Sequence, residues 1–171
     1  LKVGYFKPCE TGVNDLPLDG NKMLNITKEL NPDFKVNLCD IVPYQFKLPA
    51  APYVAKGDTP ISLELIKEKK KYLEQFCEVL IIEGAGGLMV PLEKDLFIID
   101  LIKELDCEAI LITPSKLGCI NDTLLSINAL KAKNIDFEFY INLYQDIDSF
   151  EKVSKPFLID YFKKLNFLQD L

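Results

Sequence analysis

Apolar runs and amphipathic stretches alternate along the chain, and this alternation predicts the order of its strands and helices. Four short apolar runs rich in β-branched or aromatic residues predict strands at Leu1 to Phe6, Val79 to Ile82, Ala109 to Thr113 and Phe137 to Ile141. Apolar residues at helical spacing predict helices at Gly20 to Leu30, Ile61 to Phe76, Leu96 to Leu105, Asn121 to Lys133 and Pro156 to Leu165. Proline and aromatic residues make residues 31–60 an irregular stretch with one short strand.

Alternating strands and helices predict right-handed crossovers and a doubly wound, mostly parallel sheet whose strands are buried. The length of 171 residues suits one α/β domain over residues 1–171 and is too short for two ordinary domains. In such sheets, ligands bind beyond the carboxyl ends of the strands, so the residues that follow each strand are the first candidates for a site.

Composition excludes several classes of function. The 20 basic and 26 acidic residues give a net charge of −6, so we expect neither a nucleic acid nor a membrane as partner. The longest apolar runs are far shorter than the ~20 residues of a membrane helix. The five cysteines never form a Cys-x-x-Cys pair, which favours a reducing cytoplasm, and the absence of histidine excludes histidine acid/base catalysis and histidine metal sites.

Polar and glycine residues follow each predicted strand. They are Lys7 to Gly12 after the first strand, Glu83 to Gly87 after the second, Pro114 to Asn121 after the third and Asn142 after the fourth. A carboxylate at the mouth of a buried strand, such as Glu83, is costly unless it meets a cation, a metal or hydrogen-bond donors. Glycines after it allow a phosphate to approach the backbone.

Each of these residues also has a purely structural explanation. Lys7 could be a solvated lysine, and Glu83 could accept hydrogen bonds from the glycine amides that follow it. Asp19 and Asn121 could simply cap the helices that they begin. As a functional alternative, Asp19 and Glu83 together supply enough carboxylate for Mg²⁺, which takes its remaining ligands from phosphate and water. The helix that begins near Gly118 offers free amides to an anion.

Four motifs in this order resemble those of the dethiobiotin synthetases: "FKPCETGV", "EGAGGLMVPL", "KLGCIND" and "YIN". The resemblance runs from about Val3 to Asn142. It implies a P-loop NTPase-like fold and an ATP-dependent ligase of biotin biosynthesis, acting in the cytoplasm as a homodimer. The implied substrates are 7,8-diaminopelargonate, CO2 and ATP. One amine takes up CO2 as a carbamate, ATP converts the carbamate to a carbamic-phosphoric anhydride, and the second amine closes the ring.

The resemblance also implies roles for particular residues around the phosphates. Lys7 would contact the carbamate and the transferred phosphoryl group, and Thr11 would line the same site. Asp19 and Glu83 would bind Mg²⁺. The nucleotide would lie against Glu83 and the glycines that follow it, namely Gly84, Gly86 and Gly87.

Two further roles fall in the later part of the chain. The segment that would receive the substrate carboxylate at a helix N-terminus, in a partner copy's active site, consists of Gly118, Cys119, Ile120 and Asn121. Asn142 would recognise the purine edge. Where the family often has Ser-Pro-His, this chain has Ala51-Pro52-Tyr53, and the motif gives Tyr53 no role.

The family's first strand, phosphate-binding loop and helix have no match in this sequence. The loop is of the Gly-x-x-x-x-Gly-Lys-[Ser/Thr] type and belongs to a segment of roughly thirty residues that cradles the β- and γ-phosphates. We therefore expect an N-terminal truncation of the domain. If the 171 residues were the whole protein, ATP binding would be severely impaired, and Val3, Tyr5 and Val79 to Ile82 would lose packing neighbours.

Two other functions remain open from the sequence. A relative of the partition or cell-division-positioning ATPases would use a similar sheet, although it would give no reason for "KPCETG" beside "LGCIN". A non-catalytic remnant could dimerise through Gly118 to Lys133. Nucleotide-dependent association with a membrane or DNA would favour the ATPase. Substitution of Lys7 by alanine separates the remnant from the ligase, because the ligase should lose turnover with its fold intact and the remnant should be indifferent.

Overall fold

A computed structural model describes residues 1–171 and shows an α/β protein with eight strands and eight α-helices. The strands are β1 (Val3–Phe6), β2 (Cys9–Thr11), β3 (Tyr44–Phe46), β4 (Val79–Ile82), β5 (Pro91–Glu93), β6 (Leu96–Phe97), β7 (Ala109–Pro114) and β8 (Phe137–Asn142). The helices are α1 (Leu18–Leu30), α2 (Leu38–Ile41), α3 (Pro52–Ala55), α4 (Leu63–Leu73), α5 (Ile98–Glu104), α6 (Cys119–Ala132), α7 (Ile147–Ser149) and α8 (Lys155–Phe162).

The chain divides into two compact units, residues 1–105 and residues 106–171. In the first unit, β1 pairs in parallel with β4, from Val3 opposite Val79 to Phe6 opposite Ile82. Strands β2 and β3 form a second parallel pair, and β5 and β6 form an antiparallel one. A parallel pair needs a long crossover between its strands, and α1 and α4 lie within the crossover from β1 to β4.

Helix α4 shows how the sequence pattern becomes packing in the first unit. Ser62 caps its start by accepting a hydrogen bond from the Leu65 amide at 3.2 Å. Ile66 and Leu73 on one side of the helix are fully buried, while Lys67, Glu68 and Lys71 are exposed. Burial of a side chain of this size stabilises the fold by about 1.5–3 kcal/mol.

In the second unit, β7 and β8 pair in parallel over six residues, and α6 connects them. The buried cluster of this unit joins the start of α6, β8 and the segment that follows, through Cys119, Ile141, Phe150 and Leu158. A π-helical turn at Phe150–Ser154 precedes α8. No helix combines the length and the hydrophobicity that a membrane crossing would need.

The predicted α/β class with parallel strands is confirmed, and most elements begin and end within two residues of their predicted bounds. The predicted helix from Leu96 instead opens with two residues of strand, because Leu96 and Phe97 pair with β5. The irregular stretch at residues 31–60 contains the predicted short strand, β3, and also the short helices α2 and α3. The single domain over residues 1–171 stays a prediction.

The prediction that the strands are buried is wrong for one face of β4 and one face of β7. Val79 and Ile81 are 43% and 52% exposed, and Ile110 and Ile112 are 61% and 50% exposed. Each of these strands pairs with one neighbour, and the alternating side chains on its other face have no covering layer. The exposure of Val79 and Ile81 agrees with the expectation that these residues would lack packing neighbours, whereas Tyr5, for which the same was expected, is only 2% exposed.

Candidate active site

Lys7 lies at the centre of a group of charged side chains in the first unit. Its backbone amide donates to the Ile41 carbonyl at 2.8 Å, which fixes the chain just after β1. Its Nζ donates to Asp19 Oδ2 at 3.1 Å and to Glu83 Oε1 at 2.7 Å. Residues 7, 19 and 83, which are far apart in the sequence, therefore meet at one ammonium group. An ammonium has three donors, so one remains for an acceptor in the site.

The two carboxylates keep this buried lysine charged. Burial by itself would lower the pKa of Lys7, but hydrogen bonds and charge attraction from Glu83 and then Asp19 outweigh it, and the pKa is raised above its ordinary value. The Lys7 side chain is 6% exposed, whereas those of Asp19 and Glu83 are 66% and 48% exposed. The site thus combines a fixed cation with two carboxylates that are open to a ligand.

Glu83 is held on both of its oxygens by residues from β1 and its end. Its backbone amide donates to the Phe6 carbonyl at 2.9 Å and extends the β1–β4 ladder by one residue. Oε1 accepts from Lys7, and Oε2 accepts from the Tyr5 hydroxyl at 2.6 Å. The alternative in which Glu83 accepts from the glycine amides after it is wrong, because its hydrogen bonds come from Lys7 and Tyr5 and none comes from those amides. Burial and the Glu83 contact raise the pKa of Tyr5, so its hydroxyl stays a donor at neutral pH.

Asp19 lies in the first turn of α1 and does not cap it. The helix begins at Leu18, and Pro17 at the capping position offers no side-chain hydrogen bond. Instead, the buried carboxylate of Glu10 accepts from the backbone amides of Asp19 at 3.1 Å and Gly20 at 2.9 Å. The cap comes from β2, so the Asp19 side chain is free to reach Lys7.

Because Glu10 holds the start of α1, replacing it by glutamine should destabilise the protein. The amide nitrogen of glutamine would face one of the two backbone N–H donors, and the charge at the positive end of the helix would be lost. We expect Glu10→Gln to lower the free energy of unfolding in urea by about 1–3 kcal/mol. Glu29→Gln, on the exposed side near the end of the same helix, is the control and should change it by less than about 0.5 kcal/mol. Equal stability of the two variants would show that Glu10 does not hold the helix.

A pocket of about 340 Å³ opens beside these groups. Its lining consists of Lys7, Glu10, Thr11, Asp19, Ala50, Ala51, Pro52, Ala85, Gly86 and Val90. The pocket thus includes the predicted Thr11 and two of the three charged groups. In the segment Ala51-Pro52-Tyr53, the first two residues line the pocket, whereas Tyr53 is exposed with its ring 5.6 Å from Lys56 Nζ.

The three predicted glycines after β4 differ in backbone conformation and in the space around their Cα atoms. Gly86 lines the pocket with a φ of +83°, a conformation that L side chains rarely adopt. Gly84 is required by packing, because a Cβ there would lie 2.7 Å from Ile98 Cγ2. Gly87 neither lines the pocket nor has any atom within 4 Å of an added Cβ. Of the three glycines, Gly86 lines this pocket, and the nucleotide contact of each stays a prediction.

The predicted carboxylate-binding segment lies in the second unit, at the start of α6. Gly118 precedes the helix with a φ of +91°, and the buried Cys119 is the first helical residue. Asn121 is therefore inside the first turn, where its Nδ2 donates to Asp122 Oδ1 at 3.3 Å, and the alternative in which Asn121 caps the helix is wrong. Because the Cys119 amide donates to the Lys116 carbonyl, the amides left for an anion are those of Ile120 and Asn121.

Asn142 ends β8, and the C-terminal segment contacts it. The Leu143 amide donates to Gln169 Oε1 at 3.2 Å, and Gln169 Nε2 donates to Asn142 Oδ1 at 2.9 Å. A backbone N–H can only donate, so this chain of contacts fixes the orientation of both side-chain amides. Asn142 Nδ2 is left as the group that can donate to a ligand.

Sequence reasoning missed Tyr5, Glu10 and Gln169. A signal existed for the first, because Tyr5 and Lys7 are two positions apart and therefore share one face of an extended strand. No signal of this kind existed for Glu10, because its short strand, β2, was not among the strands predicted from the sequence. Nothing in the sequence around Gln169 distinguishes it.

The carboxylates fit Mg²⁺ better than they fit a metal that needs a full set of protein ligands. No group of three or more acidic or cysteine side chains is arranged to hold a metal ion. Mg²⁺ needs only one or two carboxylates when a substrate supplies phosphate oxygens. Asp19 and Glu83, which approach the same Lys7 nitrogen, meet that requirement.

Comparison with known proteins agrees with a nucleotide-dependent α/β protein of this kind. Residues 1–141 match the family described as "AAA domain". Three relatives are each named ATP-dependent dethiobiotin synthetase BioD. The Sulfurovum sp. protein is 51% identical over 91% of this chain and 74% of its own length. The Wolinella succinogenes protein is 36% identical over 88% of this chain and 71% of its own length. The Methanocaldococcus jannaschii protein is 35% identical over 92% of this chain and 73% of its own length.

The chain belongs to the dethiobiotin synthetase family. This confirms the family, the P-loop NTPase-like fold class and the ATP-dependent ligase activity in biotin biosynthesis that were predicted from the sequence, with ATP as a substrate. The roles of the individual site residues stay predictions.

Proposed function

We propose that this protein closes the ureido ring of dethiobiotin, using 7,8-diaminopelargonate, CO2 and ATP. The observation that carries the proposal is the ammonium of Lys7, held by Asp19 and Glu83 at the edge of a pocket in a chain of the dethiobiotin synthetase family. We further propose that it works in the cytoplasm.

The proposed reaction needs no protein nucleophile. One amine of the substrate adds to CO2 and gives a carbamate with loss of a proton. A carbamate oxygen then takes the γ-phosphoryl group of ATP, which releases ADP and leaves a carbamic-phosphoric anhydride. The second amine attacks the carbonyl carbon, a proton and inorganic phosphate leave, and the ring is closed. The nearby Cys9 fits this picture, because burial raises the pKa of its thiol to about 12 and keeps it protonated.

Lys7 is the residue that we assign to the reacting groups. Its remaining donor would bind an oxygen of the carbamate or of the phosphoryl group in transfer, where negative charge must be stabilised. The contacts to Asp19 and Glu83 fix the ammonium before the substrate binds, so little reorganisation is needed during the reaction. Thr11, which lines the same pocket, would orient the substrate through its hydroxyl.

We assign Asp19 and Glu83 to Mg²⁺ and the glycine-containing loop after β4 to the nucleotide. When bound, Mg²⁺ would neutralise phosphate charge. Both carboxylates are about half exposed or more, so they remain accessible to an ion while they contact Lys7. Gly86 would let phosphate oxygens approach the backbone, Gly84 would let the loop pack closely against Ile98, and the Gly87 carbonyl accepts from the Val90 amide at 3.0 Å.

The residues of the second unit complete the proposal. In a homodimer, the amides of Ile120 and Asn121, following Gly118 and Cys119, would bind the substrate's carboxylate in the partner copy's active site. Asn142 Nδ2 would donate to the purine, with Gln169 holding the side chain in that orientation.

The test is product analysis with the full-length protein. The diamine, bicarbonate, ATP and Mg²⁺ are supplied together and then with each one omitted, and dethiobiotin and ADP are measured by mass spectrometry. We expect equal amounts of dethiobiotin and ADP, and neither product when the diamine is omitted. ATP turnover that does not depend on the diamine, with nucleotide-dependent binding to DNA or lipid vesicles, would instead support a partition-type ATPase.

A further inference from the structure

We infer that Tyr5 is a positioning residue for Glu83. The Tyr5 hydroxyl holds the Glu83 carboxylate in one orientation, so that one donor of the Lys7 ammonium stays available to the substrate. The inference rests on the proposed function, because it concerns the residues that the proposal assigns to Mg²⁺ and to the transferred group. Nothing in the family motifs points to Tyr5, which lies two residues before the motif lysine.

The geometry of β1 and β4 makes this contact specific. Tyr5 lies opposite Ile81 in the parallel ladder, and Glu83 is two positions after Ile81, so the two side chains are on the same face. Lys7 is two positions after Tyr5 and is on that face too. The hydroxyl reaches Glu83 Oε2 at 2.6 Å from a residue that is 2% exposed. A buried phenol usually finds one partner, and here the partner is a site carboxylate.

Because different residues hold the two oxygens of Glu83, Lys7 pairs with only one of them. With Tyr5 on Oε2, the carboxylate presents only Oε1 to the ammonium. Without the hydroxyl, the half-exposed carboxylate could turn and offer both oxygens to Lys7, which would engage the donor otherwise left for the substrate. The contact therefore fixes the plane of Glu83 and limits its pairing with Lys7. Either effect would be lost if Tyr5 had no hydroxyl.

The ring and the hydroxyl of Tyr5 can be separated by one substitution. Tyr5→Phe keeps the buried ring and removes only the oxygen. Tyr72→Phe is the matched control, because Tyr72 is partly exposed on α4 and packs by its ring edge against Phe76, away from the charged group. Both changes remove one phenol oxygen from the first unit, but only the first one removes a contact to Glu83.

The first measurement is the dissociation constant of a non-hydrolysable ATP analogue with Mg²⁺, determined by calorimetric titration of the full-length protein. We expect Tyr5→Phe to weaken this binding by about tenfold and Tyr72→Phe to leave it unchanged. Turnover should fall by a similar factor, while the KM for the diamine should change little. If Tyr5→Phe matches the wild type in binding and turnover, the inference is wrong.

A double-mutant cycle shows whether Tyr5 acts through Glu83. We expect Tyr5→Phe to cause no further loss of analogue binding when Glu83→Gln is already present. Additive losses would overturn the inference, and so would a Tyr5→Phe protein that fails to fold while Glu83→Gln folds, because either would make the hydroxyl a stability element.

The two proposals can fail separately in these experiments. If the wild type makes no dethiobiotin, the proposed function is wrong, but the binding measurements still decide whether Tyr5 positions Glu83. If the wild type makes dethiobiotin and both the binding and the turnover of Tyr5→Phe are unchanged, only the role of Tyr5 is wrong.

Discussion

Lys7→Ala should lower kcat for dethiobiotin formation by about a thousandfold while the protein stays folded. The ammonium is the fixed positive charge that we place on the reacting oxygens, and losses of this size follow removal of one such group in other enzymes. The two carboxylates left behind are exposed enough to be hydrated, so circular dichroism and thermal unfolding should show a folded protein. The rate is measured from dethiobiotin produced at saturating substrates.

Lys67→Ala is the control for this variant. Lys67 forms an exposed ion pair with Glu104 at 2.6 Å, and exposed pairs of this kind contribute about 0–1 kcal/mol to stability. It should behave as the wild type in both measurements. A Lys7→Ala protein that is folded and keeps its rate within about tenfold of the wild type would show that Lys7 does not stabilise the reacting oxygens.

Glu83→Gln should have the second largest effect. Glutamine keeps the shape of the side chain but loses the charge that pairs with Lys7 and that we assign to Mg²⁺. We expect kcat to fall by about a hundredfold or more, and half-maximal activity to need a higher Mg²⁺ concentration. Glu68→Gln on the exposed side of α4 should change neither quantity.

The same variant should change the pH dependence of the rate. In the wild type, the pKa of Lys7 is raised above its ordinary value, so activity that needs the ammonium should persist until pH rises through that raised value. Without the charge of Glu83, burial acts on Lys7 against a weaker opposing attraction, and the pKa falls. The alkaline limb of the kcat profile should therefore move to lower pH in Glu83→Gln. An unmoved alkaline limb would mean that Lys7 does not set it.

The contacts of the site that follow from the position of strand ends could be predicted from the sequence, whereas those that depend on how two strands are aligned could not. The meeting of Lys7 and Glu83 follows from one rule, since both come directly after strands whose carboxyl ends share an edge in a parallel pair. The sequence could not show that Tyr5 reaches Glu83, because that contact depends on the register of β1 against β4. Glu10 was missed for a similar reason, as its partners are backbone amides nine and ten residues away.

The fold shows the same division between local and long-range information. The order of strands and helices could be predicted from apolar periodicity, because each element's pattern is contained in its own residues. The half-exposed faces of β4 and β7 could not, since Val79, Ile81, Ile110 and Ile112 form apolar runs whether or not a second layer covers them. The contact between Gln169 and Asn142 joins a tail without a motif to a strand end, and it required the structure.

The most direct test of the central claim is a crystal structure of the full-length protein with Mg²⁺, a non-hydrolysable ATP analogue and the diamine. The claim is that Lys7, Asp19 and Glu83 surround the metal and the group in transfer. It predicts Mg²⁺ at about 2.1 Å from oxygens of Asp19 and Glu83, and Lys7 Nζ within about 3 Å of a terminal phosphate oxygen. A metal and terminal phosphate bound away from these side chains, with Lys7 still paired only to the two carboxylates, would contradict it.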